Sequence, residues 1–263
     1  MKRRNLLKLI GMGAVGVGTA GWWNRNDILR SLLVRRQNEG VVLSGGPSPG
    51  EDMCVLTPEQ AEGPFFINAP ARSDITEDRV GLPLELRLQI VAAQDCSPIE
   101  GAVAEVWHCD AFGRYSGYRD DLTRHPMDTL LYLDGPDSHV EPVNDRTYLR
   151  GAQSSDANGM ITFKTIFPGW YEPRATHIHV KLFIDDKAYL TSQLYFPDEL
   201  VKRIYGTHED YLPHGKAPYT HGNDMVLGRW RDANGLLLTP EEQDGGLIAS
   251  VKLGIARAQS TAS

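Results

Sequence analysis

The 263-residue chain is 41% hydrophobic, enough for one sizeable core, and its 26 glycines and 16 prolines suit an all-β domain of many turns. Its formal charge is −7, and without the four cations among the first twenty residues it falls to about −11. That acidic balance excludes nucleic acid as a partner.

The N-terminus opens with Lys2-Arg3-Arg4-Asn5-Leu6-Leu7-Lys8 and continues as a glycine-rich, weakly apolar run from Leu9 to Gly21. Paired arginines before a modest apolar region resemble a twin-arginine export signal, so residues 1–23 read as a signal or a membrane tether. Val17-Gly18-Thr19-Ala20 offers small residues but no clean A-x-A cleavage site, which leaves a retained tether open, and the run is too short and glycine-rich for a spanning helix. Residues 24–50, ending in Ser44-Gly45-Gly46-Pro47-Ser48-Pro49-Gly50, read as a linker, residues 51–258 as the catalytic domain and 259–263 as a tail.

Within the domain, Thr57-Pro58-Glu59-Gln60 has an N-cap, a proline and a capping-box glutamine, predicting about one helical turn before Gly63-Pro64. Leu84, Leu86, Leu88 and Ile90 alternate with polar residues as a strand, Asp95-Cys96-Ser97-Pro98 turns it, and Ala102 to His108 forms the next. The stretch from Asp110 to Asn144 has turn chemistry and little periodicity, as a functional loop does. Asp156-Ala157-Asn158-Gly159 between two alternating runs predicts a hairpin. Pro168-Gly169-Trp170-Tyr171 then ends a strand with a tyrosine. In His177-Ile178-His179 the two-residue period puts both imidazoles on one face, away from an apolar face of Ile178, Val180, Leu182 and Ile184. Tyr189 to Phe196 alternates again, Tyr205 to His221 is a loop rich in His, Tyr and Pro, and Leu247 to Ile255 closes as a strand. With no repeat and no long helical period, the pattern predicts a β-sandwich with long active-site loops.

In an oxidising compartment Cys54, Cys96 and Cys109 allow one disulfide and one leftover thiol, in three pairings. If residues 84–108 form a hairpin turning near Pro98, Cys96 sits at its tip and Cys109 at its far end, which disfavours that pair.

Two strand histidines alone are as often solvated polar residues as ligands. No C-x-x-C accompanies them, and no single carboxylate completes a facial triad, although Asp185 and Asp186 lie on the same run. Tyrosines sit nearby instead: Tyr171 six residues before His177, and Tyr115 after Gly113-Arg114 beyond the strand ending Val106-Trp107-His108. A phenol ordinarily titrates near ~10, so only a strongly Lewis-acidic ion holds it as phenolate at neutral pH. Two histidines with two tyrosinates therefore point to Fe(III).

The ordered motifs extend that reading. They include Thr57-Pro58, Glu62-Gly63-Pro64-Phe65-Phe66, Val106-Trp107-His108, Gly113-Arg114-Tyr115-Ser116 and Arg150-Gly151, followed by Thr165-Ile166-Phe167-Pro168-Gly169-Trp170-Tyr171, Arg174, His177-Ile178-His179 and Gln193-Leu194-Tyr195-Phe196. From about Cys54 to Ile255 the sequence resembles the intradiol ring-cleavage dioxygenases, the family of catechol, hydroxyquinol and protocatechuate dioxygenases. The resemblance implies a Greek-key, transthyretin-like β-sandwich and iron ligands at Tyr115, Tyr171, His177 and His179. It implies that a catechol binds Fe(III), that Tyr171 is displaced and takes up a substrate proton, and that O2 opens the ring between its two hydroxyl-bearing carbons to a cis,cis-muconate-type diacid. Arg174 and Gln193 match residues beside the substrate ring. Arg174 is suited to stabilise developing negative charge, or is a structural ion-pair partner of Glu172 or Asp156. Gln193 donates to substrate or is a plain sheet residue, and Tyr118, after Ser116-Gly117, packs or lines the pocket.

Trp107-His108-Cys109-Asp110 and the export signal resemble the secreted branch. No long N-terminal helical period of the kind catechol dioxygenases use to dimerise is present, so their oligomeric state does not transfer. The loops Asp120 to Asn144 and Tyr205 to His221 carry no residue that selects among the family's substrates. Two rival readings are a non-catalytic transthyretin-like ligand-binding module and a hydrolytic Zn2+ centre; retention of all four ligands opposes the first and the two tyrosines oppose the second.

Overall fold

The computed structural model describes residues 54–124, 139–227 and 235–256. The expected leader 1–23, linker 24–50 and tail 259–263 lie outside the described residues. In chain order the elements are β1 (Pro83–Ala92), β2 (Val103–Trp107), α1 (Asp120–Arg124), β3 (Arg150–Ser154), β4 (Met160–Ile166), β5 (His177–Ile184), β6 (Lys187–Tyr195), α2 (Asp198–Thr207), a short 3-10 turn (Leu212–His214), β7 (Thr239–Gln243) and β8 (Gly246–Ile255). The strands form two four-stranded sheets, ordered β4-β1-β8-β7 and β3-β2-β5-β6, so the β-sandwich expected from the alternation is present. All pairings are antiparallel except β1 with β8.

Alternation decides which face is buried. Leu84, Leu86, Leu88 and Ile90 of β1 face Val106 of β2, Ile178, Val180 and Leu182 of β5 and Leu194 of β6 in one core, with Phe163, Ala249 and Leu253 filling between. Burying each large apolar side chain contributes roughly 1.5–3 kcal/mol. The opposite face of β5 is thereby left to His177 and His179.

The turn expected after β1 is present, with Val91 paired to Pro98 and the Ile99 amide donating to Ile90 O at 3.0 Å, but two expected strand pairings are absent, for one reason. β1 and β2 lie in different sheets, and so do β3 and β4. Paired side by side, their apolar faces would share one side and need a third layer to cover them; placed in opposite sheets, they cover each other. The Asp156-Ala157-Asn158-Gly159 turn is thus an arch between sheets, held by Asp156 Oδ1, which accepts the amides of Asn158 and Met160, both at 2.8 Å. The true hairpins turn at Asp185-Asp186, with φ of 49° and 60°, and at Asp244-Gly245, with φ of 45° and 78°.

The helical turn expected at Thr57 to Gln60 is also absent. Thr57 instead exchanges bonds with Gly254 of β8, donating its amide to the carbonyl at 2.8 Å and accepting the Gly254 amide on Oγ1 at 3.0 Å, while the Gln60 amide reaches Thr191 O of β6 at 2.8 Å. Extended pairing satisfies more backbone groups here than one isolated turn would. Helix α2 went unread because ten residues give too short a period; Leu200, Val201, Ile204 and Tyr205 are its buried face, so the expected Tyr205 to His221 loop begins inside it. Cys54 and Cys96 form the disulfide and Cys109 is the buried free thiol, in keeping with the disfavoured Cys96–Cys109 pair: Cys96 sits in the tight turn after β1, although β1 and β2 do not pair.

Candidate metal centre

Strand register assembles the site. Trp107 on β2 pairs with Arg150 on β3 and with His179 on β5, and His179 pairs with Gln193 on β6, so these four residues form one rung on the outer face of the second sheet. On the neighbouring rung His177 pairs with Tyr195. Two loops cover this face: the one after β2 brings Tyr115, with Asp110 Oδ1 fixing its bend by accepting the amides of Phe112 at 2.9 Å and Arg114 at 3.0 Å. The turn after β4 brings Tyr171.

The four expected donors converge and are buried. Tyr115 Oη lies 3.3 Å from Tyr171 Oη, which lies 3.0 Å from His177 Nε2; that nitrogen is 3.1 Å from His179 Nε2, and His179 Nε2 is 3.0 Å from Tyr115 Oη. A closed ring of this size places a central point about 2 Å from each atom, the bond length of imidazole and hard oxygen ligands. His177 Nδ1 donates to Ala175 O at 2.6 Å, which turns the lone pair of Nε2 toward the centre. His179 is held between the Trp107 ring, stacked at 4.8 Å and 7°, and Gly63, which combines a φ of 82° with a position where a Cβ would stand 3.3 Å from His179 Cε1. A side chain at Gly63 would meet both backbone strain and this contact.

Burial first, then neighbouring cations, pushes His177 down to about 3 and His179 well below the usual imidazole range, so both are neutral. Burial raises the phenols of Tyr115 and Tyr171. His177 Nε2 offers its lone pair here and His179 Nδ1 has no partner of its own, so two neutral imidazoles with their Nε2 atoms 3.1 Å apart are well served by a shared cation. Among the described residues no three His, Cys, Asp or Glu groups converge, so any such cation must be held with the tyrosines. The donor set therefore fits a hard, strongly Lewis-acidic ion of the Fe(III) kind and not a cysteine or carboxylate zinc site.

Arg174 is buried beside this ring, and its partner is neither Glu172 nor Asp156. Its Nε donates to Asp224 Oδ2 at 2.9 Å, and its Nη2 donates to Tyr195 Oη at 3.0 Å and to Gln193 Oε1. Burial works against the guanidinium charge, but Asp224, Tyr195 and Tyr171 outweigh it and raise its pKa; burial of Asp224 is likewise outweighed, chiefly by Arg174, and its pKa is lowered. Gln193 accepts from Tyr195 Oη at 2.8 Å and donates Nε2 to Ala61 O at 2.6 Å, tying the segment 57–66 to the Arg174 cluster. Tyr118 packs on Phe65 with ring centroids 4.9 Å apart.

Two buried charges escaped sequence reasoning. Asp224 follows His221-Gly222-Asn223, a turn with no periodic signal, yet it also accepts the amides of Ala175, Val226 and Leu227. Arg150 is fully buried behind Tyr115, bonded to Ser116 through Nε–Oγ at 2.8 Å and Nη2–O at 3.1 Å, with its guanidinium 6.0 Å from the Tyr115 ring; burial pushes it down to about 10. Its place in the Arg150-Gly151 motif was the available signal.

A family model described as Dioxygenase matches residues 61–205. Catechol 1,2-dioxygenase 1 of Acinetobacter lwoffii is 25% identical over 186 residues, covering 60% of this chain and 52% of that protein. The protocatechuate 3,4-dioxygenase beta chain of Burkholderia cepacia is 31% identical over 143 residues, covering 49% and 54%. The chain thus spans about half the length of the curated relatives it matches. Among solved structures, an intradiol ring-cleavage dioxygenase from Tetranychus urticae is similar at a TM-score of 0.67 and 29% identity, covering 78% of this chain and 98% of that one. The matched span contains every one of the four converging donors, and the chain belongs to the intradiol ring-cleavage dioxygenase family.

Proposed function

We propose that the chain is an Fe(III)-dependent intradiol dioxygenase that opens a catechol-type ring with O2 and keeps both oxygen atoms in a cis,cis-muconate-type diacid. The observation that carries this reading is the closed ring of Tyr115, Tyr171, His177 and His179 donor atoms. When bound there, ferric iron supplies the Lewis acidity that keeps phenolates and an aromatic diolate ionised and makes the ring reactive toward O2. Tyr115, His177 and His179 would hold the ion throughout. Tyr171 would be the displaceable holder, and its phenolate oxygen would accept a proton from the incoming diol. Arg174 stabilises negative charge that develops on the ring; Asp224 and Gln193 fix its guanidinium plane, so that no reorganisation is needed as the charge appears. Phe65, 5.1 Å from the Tyr115 ring, and the stacked Trp107 help keep water away.

Export by the twin-arginine route, with residues 51–258 as the exported domain, is part of the same proposal; the Cys54–Cys96 disulfide supports an oxidising destination. Fractionation of cells expressing the full chain tests it, and a wholly cytoplasmic protein would overturn it. The activity is tested by an anaerobic visible spectrum with iron quantified before and after adding catechol, followed by oxygen uptake. A broad tyrosinate band that shifts with catechol is expected. A colourless protein after iron reconstitution would promote the ligand-binding-module reading.

A further inference from the structure

Between the end of β4 and Tyr171, four consecutive carbonyls are each bonded by a side chain from elsewhere in the chain. Phe167 O accepts from Tyr211 Oη at 2.6 Å, Pro168 O from Tyr205 Oη at 3.0 Å, Gly169 O from Cys109 Sγ at 3.3 Å and Trp170 O from His214 Nε2 at 2.7 Å. Trp170 reciprocates, donating Nε1 to Gly215 O at 3.2 Å and stacking on His214 at 4.5 Å. The Gly169 amide donates to Asp110 O at 3.0 Å, and the two backbones approach so closely that a Cβ at Gly169 would collide with Asp110 O and stand 2.6 Å from Gly113 N. The donors come from three places: the loop after β2, the end of α2, and the segment through the 3-10 turn. Tyr205 and Tyr211 are buried, so removing a hydroxyl leaves a carbonyl without its partner in a dry place.

We infer that Tyr205, Tyr211, His214 and Cys109 are positioning residues that immobilise the backbone up to Trp170, so that Tyr171 leaves and regains its place by rotation of its own side chain. The inference rests on reading Tyr171 as the displaceable ligand. A group that must leave at each turnover and return to the same point gains from an anchored Cα, because return is then a local torsional event and not a loop search. Neighbouring Glu172 is also held from this segment, by Tyr219 Oη at 3.0 Å.

The test is the double variant Tyr205→Phe, Tyr211→Phe, which keeps both rings and removes two donors. In the metal-free protein, hydrogen exchange at the Gly169 to Tyr171 amides is expected to quicken about tenfold while β1 amides keep their rates. In the iron-loaded variant the tyrosinate band broadens and kcat falls more than KM rises. Leu190→Ala serves as a core control chosen for a comparable loss of Tm. Unchanged exchange at those amides, or the same quickening in the control, overturns the inference. Should the double variant fail to fold, Cys109→Ala is read by the same exchange criterion. A wild-type protein whose band ignores catechol would sink the proposed function, while the metal-free exchange would still decide whether the loop is held as described.

Discussion

Tyr115 and Tyr171 bring their hydroxyls within 3.3 Å of each other from opposite kinds of surroundings. Tyr115 is 1% exposed, wedged between Phe65 and the fully buried Arg150, on a loop that follows directly from a central strand. Tyr171 is 7% exposed, at the end of a turn held by side chains, with a cis Glu172–Pro173 bond just beyond it. One tyrosine has a cation and packed rings behind it; the other follows a backbone held by side chains and is slightly more exposed. On the proposed reading, the contrast teaches that two chemically identical side chains can be built one to stay and one to exchange.

The most direct way to break that contrast is to remove each hydroxyl. Tyr115→Phe is expected to lower bound iron per chain by tenfold or more, on the order of the loss seen when ligand support is removed. Tyr171→Phe is expected to keep most of its iron and its folding while turnover falls by roughly 10²–10³. Metal analysis beside oxygen uptake separates the two, and wild-type turnover in Tyr171→Phe would show that its assigned role is wrong. Next in size, Arg174→Ala should retain iron yet slow ring cleavage by about 10²; loss of iron in that variant would move Arg174 from the reaction to the scaffold.

The pH dependence sharpens the comparison from the histidine side. His177, at about 3, and His108, at about 4, are held neutral mainly by burial, and the unfolded chain titrates both near 6.5. Between those values the unfolded state binds more protons, so the stability of the metal-free protein is full above pH ~6.5 and falls as pH drops toward 4 and below, by a few kcal/mol. Thermal melts across that window check the sign, and a flat profile would count against neutral buried imidazoles. Smallest in effect, Gly63→Ala should cost about 1 kcal/mol in stability from its positive φ, and displace His179 enough to lower iron affinity measurably.

Much of the candidate site was legible because its converging donors sit at fixed steps along local patterns. His177 and His179 follow the strand period, Tyr171 ends a Pro-Gly turn, and Tyr115 follows Gly113-Arg114. Asp224 was illegible because its meaning depends on an ion pair fifty residues away in the chain, which no local period encodes. The hairpin expectations failed on the same ground: alternation tells which face of β1 or β4 is buried, but not which sheet receives the strand. The Asp185-Asp186 turn escaped because two aspartates in left-handed backbone are rarer there than the Asn-Gly that signalled falsely at 158–159. Helix α2, at ten residues, was simply shorter than the period a sequence pattern needs.

The disulfide has a practical corollary. Cys54 and Cys96 lie at the far end of a segment that runs past β8 and β6, bonds Gln193 through Ala61 and finishes against His179 at Gly63. Its other end is clasped by the Glu62–Lys181 ion pair at 2.5 Å. A thiol reductant added during purification is therefore expected to loosen one wall of the candidate site without touching any of its four converging donors, which faster hydrogen exchange at the Thr57 and Gln60 amides would report. On that expectation oxidised and reduced preparations are two different reagents, and substrate preferences measured on one should be repeated on the other before they are assigned to side chains.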